Sequence, residues 1–340
     1  MSITANRRCC LRDLVDPDTA YPFAPDRVMV AKADDRGMYV SNERHSNGSH
    51  GLAQAQGASP DQLERTSEPV DFAATGDPGG RTWIAELPAL TGTMCQRWGL
   101  EVGDGAVRTG YHAVVAPVRR GSEPCVLKLT WPPDRIVDES RALAAWDGHG
   151  AVRMLEVDVY TGAMLLEQLN ARRTLRDLDV FDAAAVAGSL LRRLAVPAPS
   201  GLRGLQDLAR DIAGSLVARQ ERLGHLVPKR WLDAALRLSQ QLENHADRHL
   251  LVHADLHYGN VLAGEREPWL AIDPKPVAGD PEHAVPELLW TRADGEGAEG
   301  IRLLFSNTRR QWRIGCGTGP RLGHCALRGL LALGGGPWFD

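Results

Sequence analysis

The sequence predicts a two-lobed α+β protein, a small lobe built from an antiparallel sheet and one helix followed by a helical lobe. Three observations predict it. β-rich runs joined by turn residues crowd between residues 111 and 169, amphipathic helical patterns replace them from Leu175, and short apolar strands with polar ends return between 249 and 273. At 340 residues the chain has room for two units of ordinary size.

Residues 1 to 78 carry clusters of Ser, Asn, Gly, Asp and His without a period of 2 or 3.6, the composition of a disordered extension. From Thr82 through Trp98 apolar residues fall at helical spacing, so the ordered protein is expected to begin near residue 80. Tyr111 to Val118 and Cys125 to Thr130 read as strands of a hairpin around the turn Arg120 to Pro124, with Lys128 in the second strand. Pro132 and Pro133 close that strand. Asp134 to Trp146 then reads as a helix bounded by Gly148. Met154 to Val159 and Ala163 to Leu169 form a further strand pair around Thr161 and Gly162, and 170–174 reads as a linker.

Three amphipathic helices follow, at 176–195 (ended by Pro197 and Pro199), 202–223 (ended by Gly224) and 229–246 (opened by Pro228). Short strands at His249 to His253, Asn260 to Ala263 and Trp269 to Asp273 are set into this lobe, the last two joined by a turn at Gly264 to Pro268. The division expected is therefore an extension at 1–78, a small lobe at 79–169, a helical lobe at 170–294, and a discordant tail at 295–340. That tail has 11 glycines and six arginines but no lysine and three acidic residues, an abrupt change that reads as a departure from the ancestral reading frame.

Formal charge is only -4, which gives nucleic acid or an anionic membrane no electrostatic hold and leaves a small molecule as the expected partner. No apolar run is long enough to span a membrane, and Arg7 and Arg8 lead into no apolar segment, so a cytoplasmic monomer is expected. The six cysteines show no regular spacing, as in a reducing compartment; Cys316, His324 and Cys325 lack a fourth zinc ligand.

The chemistry concentrates in His253-Ala-Asp255-Leu-His257-Tyr-Gly-Asn260, followed by Asp273. Phosphoryl transfer to a hydroxyl needs a carboxylate facing the acceptor, ligands for a metal, and cations on the phosphates. Asp255, in a loop directly after an apolar strand, fits the base. Asn260 and Asp273 offer hard oxygen ligands for Mg²⁺, brought side by side by two strands and a tight turn. Lys128 is the matching cation for the α- and β-phosphates of ATP, and Glu139 on the next helix can hold it by an ion pair. His253 is placed to brace the loop, Gly259 to permit a tight backbone turn, and His257 and Tyr258 either to face substrate or to pack within the loop.

These residues stand in long motifs: Arg81 to Leu90 (RTWIAELPAL), Ala145 to Asp147 (AWD), Met164 to Leu169 (MLLEQL), His253 to Leu262 (HADLHYGNVL), Glu265 to Pro276 (EREPWLAIDPKP) and Gly279 to Pro281. Over about 80–293 the chain thereby resembles the aminoglycoside and hydroxyurea antibiotic-resistance kinases, relatives of the streptomycin 6-phosphotransferases. The resemblance implies a two-lobed protein-kinase-like fold with a nucleotide-binding small lobe, ATP and Mg²⁺ as cofactors, and O-phosphorylation of a drug. It implies Asp255 as base, Asn260 and Asp273 as metal ligands, and Lys128 on the phosphates. Glu167, Gln168 and Leu169 would form the hinge that meets adenine, and Asp280 would buttress the site. Beyond Leu289 the family's acidic, helical continuation is missing from this chain. A net basic tail disfavours the polycation streptomycin and favours hydroxyurea, with streptomycin the alternative acceptor. A nucleotide-binding relative without catalysis and a metabolite kinase are the rival readings.

Overall fold

The computed structural model describes residues 32–34, 37–39, 73–222, 224–225, 228–244 and 249–290. The frame departure read into 295–340, the trio Cys316, His324 and Cys325, and most of the leading extension lie outside the described residues. Within that extension β1 (Lys32–Asp34) and β2 (Gly37–Tyr39) pair as an antiparallel hairpin.

The continuous described chain starts at Ala73, earlier than the expected start near 80, with α1 (Ala73–Gly76) and α2 (Pro78–Trp98). Asp77 caps α2 by accepting the Gly80 N–H at 3.0 Å, and Pro78 loses nothing at a position whose N–H has no helical partner. Gly99, at φ 64°, closes the helix in the left-handed region.

Beneath α2 lies an antiparallel sheet of β3 (Glu101–Val102), β4 (Arg108–Thr109), β5 (Ala113–Arg120), β6 (Glu123–Thr130), β7 (Met154–Asp158) and β8 (Ala163–Glu167). Its order is β3-β5-β6-β8-β7, with β4 also on β5. The sheet's period of two decides the site: Cys125, Leu127 and Leu129 of β6 join Ala163 and Leu165 of β8 in the core under α2, which turns the intervening Lys128 to the other face. Each fully buried leucine here contributes on the order of 2 kcal/mol. The sequence reading began β5 too early. Tyr111 and His112 form a two-residue turn closed by Gly110 N–H to Ala113 O at 2.7 Å, because glycine ends β4 there.

On the opposite face of the sheet α3 (Ile136–Trp146) packs into the larger core. Ile136, Leu143 and Trp146 join Met164 and Leu166 there, against residues of α4 (Val180–Leu194) and α5 (Leu205–Arg222). Trp146 Nε1 donates to Leu194 O at 2.8 Å, tying the small-lobe helix to α4. The second lobe continues with α6 (Lys229–Asn244), β10 (Leu250–Val252), β11 (Val261–Ala263), β12 (Leu270–Ala271), β13 (Val277–Gly279) and α7 (Val285–Trp290). The segment 170–174, expected as a linker, is instead strand β9 (Asn170–Thr174), at the edge of the order β12-β11-β9. Its side chains are almost all exposed, so no apolar alternation marks it and backbone pairing alone makes it a strand. The helix expected from 176 starts at Val180, because Thr174 and Asp177 form a capping box around the 3-10 turn Leu175–Asp177.

Candidate active site

Two strand pairs carry the polar motif. β10 pairs with β13 (Val252↔Val277), and β11 pairs with β12 (Val261↔Ala271), so the loops 253–260 and 272–276 run between the same two pairs. Backbone bonds bind one loop to the other: Ile272 N–H to Asn260 O at 2.9 Å, and Lys275 N–H to His253 O at 3.0 Å. Asn260 and Asp273 are thereby neighbours, as the spacing predicts. Asp273 leaves strand geometry at φ 54°, so the predicted strand Trp269 to Asp273 contracts to Leu270–Ala271. Ala254, also at φ 54°, is a second left-handed non-glycine residue immediately before Asp255.

Lys128 is the centre of the charge arrangement. Its ammonium donates to Glu139 Oε1 and Oε2 at 2.7 and 2.8 Å and to Asp273 Oδ1 at 2.6 Å, linking sheet, α3 and the second lobe. Burial alone would push Lys128 down, but the carboxylates of Asp273 and Glu139 reverse this and hold it above the ordinary lysine value. Lys128 in turn holds the Asp273 carboxyl below its usual range. Burial pushes Glu139 up against the opposing pull of Lys128. The pair therefore sits buried and preorganised, with Asp273 half-exposed to the cleft.

His253 is buried, its ring stacked on Trp146 with centroids 5.8 Å apart. Its Nδ1 faces the Asp255 N–H at 3.4 Å while Nε2 lies 3.1 Å from Ile272 O, so it spans both loops as a brace. Asn260 gives its amide hydrogen to Asp255 O at 3.0 Å, which fixes the loop and directs the side-chain oxygen away from that bond. His257 Nδ1 accepts the Gly259 N–H at 3.0 Å and caps the turn Tyr258–Asn260. Burial, with Arg176 nearby, pushes this imidazole below its ordinary value, so it is neutral and able to accept.

Two sequence expectations change. Tyr258 is wholly buried in the second-lobe core, so it packs and does not face substrate. Gly259 is not among the left-handed glycines; a Cβ there would meet the Arg176 guanidinium at 2.7 to 2.9 Å, so what it accommodates is a side chain. Glu167 lies at the end of β8, where its carboxylate holds Arg266 at 2.7 Å and the Arg153 N–H at 2.7 Å. Gln168 is exposed and Leu169 half-buried against the core, between β8 and β9. Asp280 follows β13 and opens the turn Pro281–Ala284.

A cavity of about 290 Å³ opens beside Lys128 and Asp273. The turn Gly110 to His112 roofs it, and Arg135, Arg203 and Lys275 also line it. Sequence reasoning missed that turn, which has one glycine where a phosphate loop would show several, and it gave no role to Lys275, although that residue stands inside the motif Glu265 to Pro276. Lys275 Nζ lies 3.7 Å from Asp255 Oδ2.

A lysine held by a helix glutamate, set in a sheet opposite a loop carboxylate and an Asn/Asp pair, defines a phosphotransferase of the protein-kinase-like fold. The chain belongs to the aminoglycoside/hydroxyurea antibiotic resistance kinase family, whose profile matches residues 97–310. That match runs past residue 293, where the sequence reading placed the end of the resemblance. The chain is 46% identical over 254 residues to hydroxyurea phosphotransferase of Kitasatospora aureofaciens, covering 71% of this chain and 74% of that one. It is 42% identical over 229 residues to streptomycin 6-kinase of Streptomyces glaucescens, covering 66% and 74%. In fold it is similar to a thermostable mutant of aminoglycoside phosphotransferase APH(4)-Ia in ternary complex with AMP-PNP and hygromycin B, at TM-score 0.52 and 16% identity, over 72% of this chain and 89% of that one. No helix among the described residues is long and apolar enough to cross a membrane.

Proposed function

We propose that this chain is an ATP-dependent O-phosphotransferase that inactivates a drug by phosphorylating a hydroxyl, with hydroxyurea as its acceptor. The observation that carries the reading is Lys128 bridging Glu139 and Asp273 while Asp255 stands on the adjoining loop. Asp255 accepts the proton of the acceptor hydroxyl, and Lys128 holds the α- and β-phosphates. The backbone of Glu167, Gln168 and Leu169 carries the adenine contact, with the Glu167 N–H itself given to Arg153 O at 3.0 Å.

The donor set suits Mg²⁺, which is held through one or two protein oxygens and keeps several waters; Asp273 and the Asn260 side-chain oxygen would supply them. Bound there, the ion would neutralise charge on the transferring phosphate.

Hydroxyurea is favoured over streptomycin by the cavity lining. Arg135, Arg203 and Lys275 line it together with Asp138, Glu139 and Asp273, but Asp138 is paired with Arg141 and the other two carboxylates with Lys128, which leaves little acidic surface to complement a polycationic acceptor. The test is phosphate transfer from ATP by the purified chain to hydroxyurea and streptomycin side by side, followed by mass spectrometry. Transfer to hydroxyurea that disappears in Asp255→Ala, with nucleotide binding retained, is the expected result. Preference for streptomycin would overturn the acceptor, and equal activity of wild type and variant would overturn the mechanism.

A further inference from the structure

The loop after Asp273 carries a cation to which the phosphotransfer scheme assigns no role. Lys275 stands between Pro274 and Pro276, its backbone N–H is tied to His253 O at 3.0 Å, and Val277, just beyond Pro276, enters β13 against Val252. Two prolines fix φ on either side, so little freedom remains in the backbone that presents this side chain. From that mount the ammonium lies 3.7 Å from Asp255 Oδ2 and also lines the cavity beside Lys128 and Asp273. Its side chain is about one-third exposed (37%), as a group needs to be to meet a ligand, whereas Lys128 is 8% exposed and engaged by two carboxylates.

We propose that Lys275 is a catalytic residue that holds the γ-phosphoryl group of ATP from the acceptor side, beside the base. The inference rests on the phosphotransferase reading. In the transfer, the acceptor oxygen bonds to the γ-phosphorus, the bond from that phosphorus to the β,γ-bridging oxygen breaks with its electron pair leaving on ADP, and the hydroxyl proton passes to the Asp255 carboxylate. Negative charge spread over the three peripheral oxygens of the transferring group is stabilised by cations set around it, and Lys128 is already engaged on the α- and β-phosphates. Lys275 stands on the neighbouring loop, 3.7 Å from Asp255 Oδ2 and on the lining of the cavity, where it can supply the further positive charge.

The prediction separates ATP from ADP, since only ATP carries the γ-phosphate. Titration calorimetry with AMP-PNP and with ADP, at fixed excess Mg²⁺ and without acceptor, is run on wild type, Lys275→Met and Lys275→Arg. Wild type should bind AMP-PNP about tenfold or more tighter than ADP, as one charge-assisted contact allows. In Lys275→Met that ratio should collapse toward one, with ADP affinity unchanged, and in Lys275→Arg much of it should return. In turnover, Lys275→Met should lower kcat about 10²-fold with little change in the KM of the acceptor. If the methionine variant does not fold, Lys275→Gln must show the same collapse. A wild-type ratio of one, or a ratio unaltered by removal of the charge, overturns the proposal whatever happens to kcat. Because the calorimetry needs no acceptor, a wrong choice of drug does not touch its outcome, while absence of transfer to any hydroxyl would count against the parent reading alone.

Discussion

Replacing Lys128 by Met separates the electrostatic cost of the site from its catalytic yield. The substitution strands Glu139, 6% exposed, without its cation, whereas Asp273, whose side chain is 53% exposed, can be hydrated. A buried carboxylate left alone costs about 3 to 5 kcal/mol. It escapes that cost by taking a proton, which at pH 7 costs about 1.36 kcal/mol for each of the ~2.5 pH units above the ordinary glutamate value of 4.5, hence ~3.4 kcal/mol. The two routes come out alike near neutrality, so a destabilisation of about 3 kcal/mol is expected there. The sign of its pH dependence follows: the stranded acid has its folded pKa raised above the unfolded value, so the penalty is full above the folded pKa and fades as pH falls toward 4.5. At about pH 5.5 only ~1.4 kcal/mol should remain. Urea unfolding of wild type and Lys128→Met across this range, followed by tryptophan fluorescence, measures it. The same variant should lose about 10²- to 10³-fold in kcat. A destabilisation that does not change between about pH 5.5 and pH 7 would refute the claim that removing Lys128 strands Glu139 as a buried acid.

Other perturbations test the frame around the site. His257 has its pKa lowered from 6.5 by burial, so the unfolded chain takes up more protons on acidification and stability should fall as pH drops below 6.5; in His257→Asn, which keeps an acceptor for the Gly259 N–H, this slope should flatten. Melting temperatures from neutral to mildly acidic pH report it. Gly162→Ala sets a Cβ 2.5 Å from Thr130 O at φ 73° and should cost about 2 kcal/mol or more. In Gly259→Ala the nearest atoms belong to the movable guanidinium of Arg176, so the cost should stay under about 1 kcal/mol, and equal costs in urea titrations would restore the tight-turn reading of Gly259. Leu127→Ala, at 0% exposure under α2, should lower unfolding free energy by about 2 to 5 kcal/mol with nucleotide affinity retained.

The parts of the site legible in the sequence are those written in local pattern. Alternation around Lys128 sets its face of the sheet, and the separation of Asn260 and Asp273 by a strand, a turn and a strand brings them together. Glu139 was legible for a similar reason, since a helix starting after Pro133 puts its first turn over the neighbouring strand. What escaped depends on backbone conformation and on contacts between distant segments. Tyr258 looks like a polar neighbour of Asp255, but the turn Tyr258–Asn260 directs it into a core formed by helices many residues away. β9 escaped because its pairing with β11 leaves no mark in hydropathy.

Lys275 is the most instructive of these omissions. In sequence it is a lysine between two prolines, twenty residues from the base, and nothing in periodicity connects it to Asp255. The connection is topological: β10 enters one loop and β13 leaves the other, and because these strands pair Val252 with Val277, residues just inside the pair must face each other. The pairing of Val261 with Ala271 closes the other end, where the Ile272 N–H bonds Asn260 O and Asp273 follows. Two short ladders thus convert two separate sequence motifs into one charged site. The approach of Lys275 to Asp255 therefore depends on the Val252↔Val277 pairing, and damage to it should displace both residues at once.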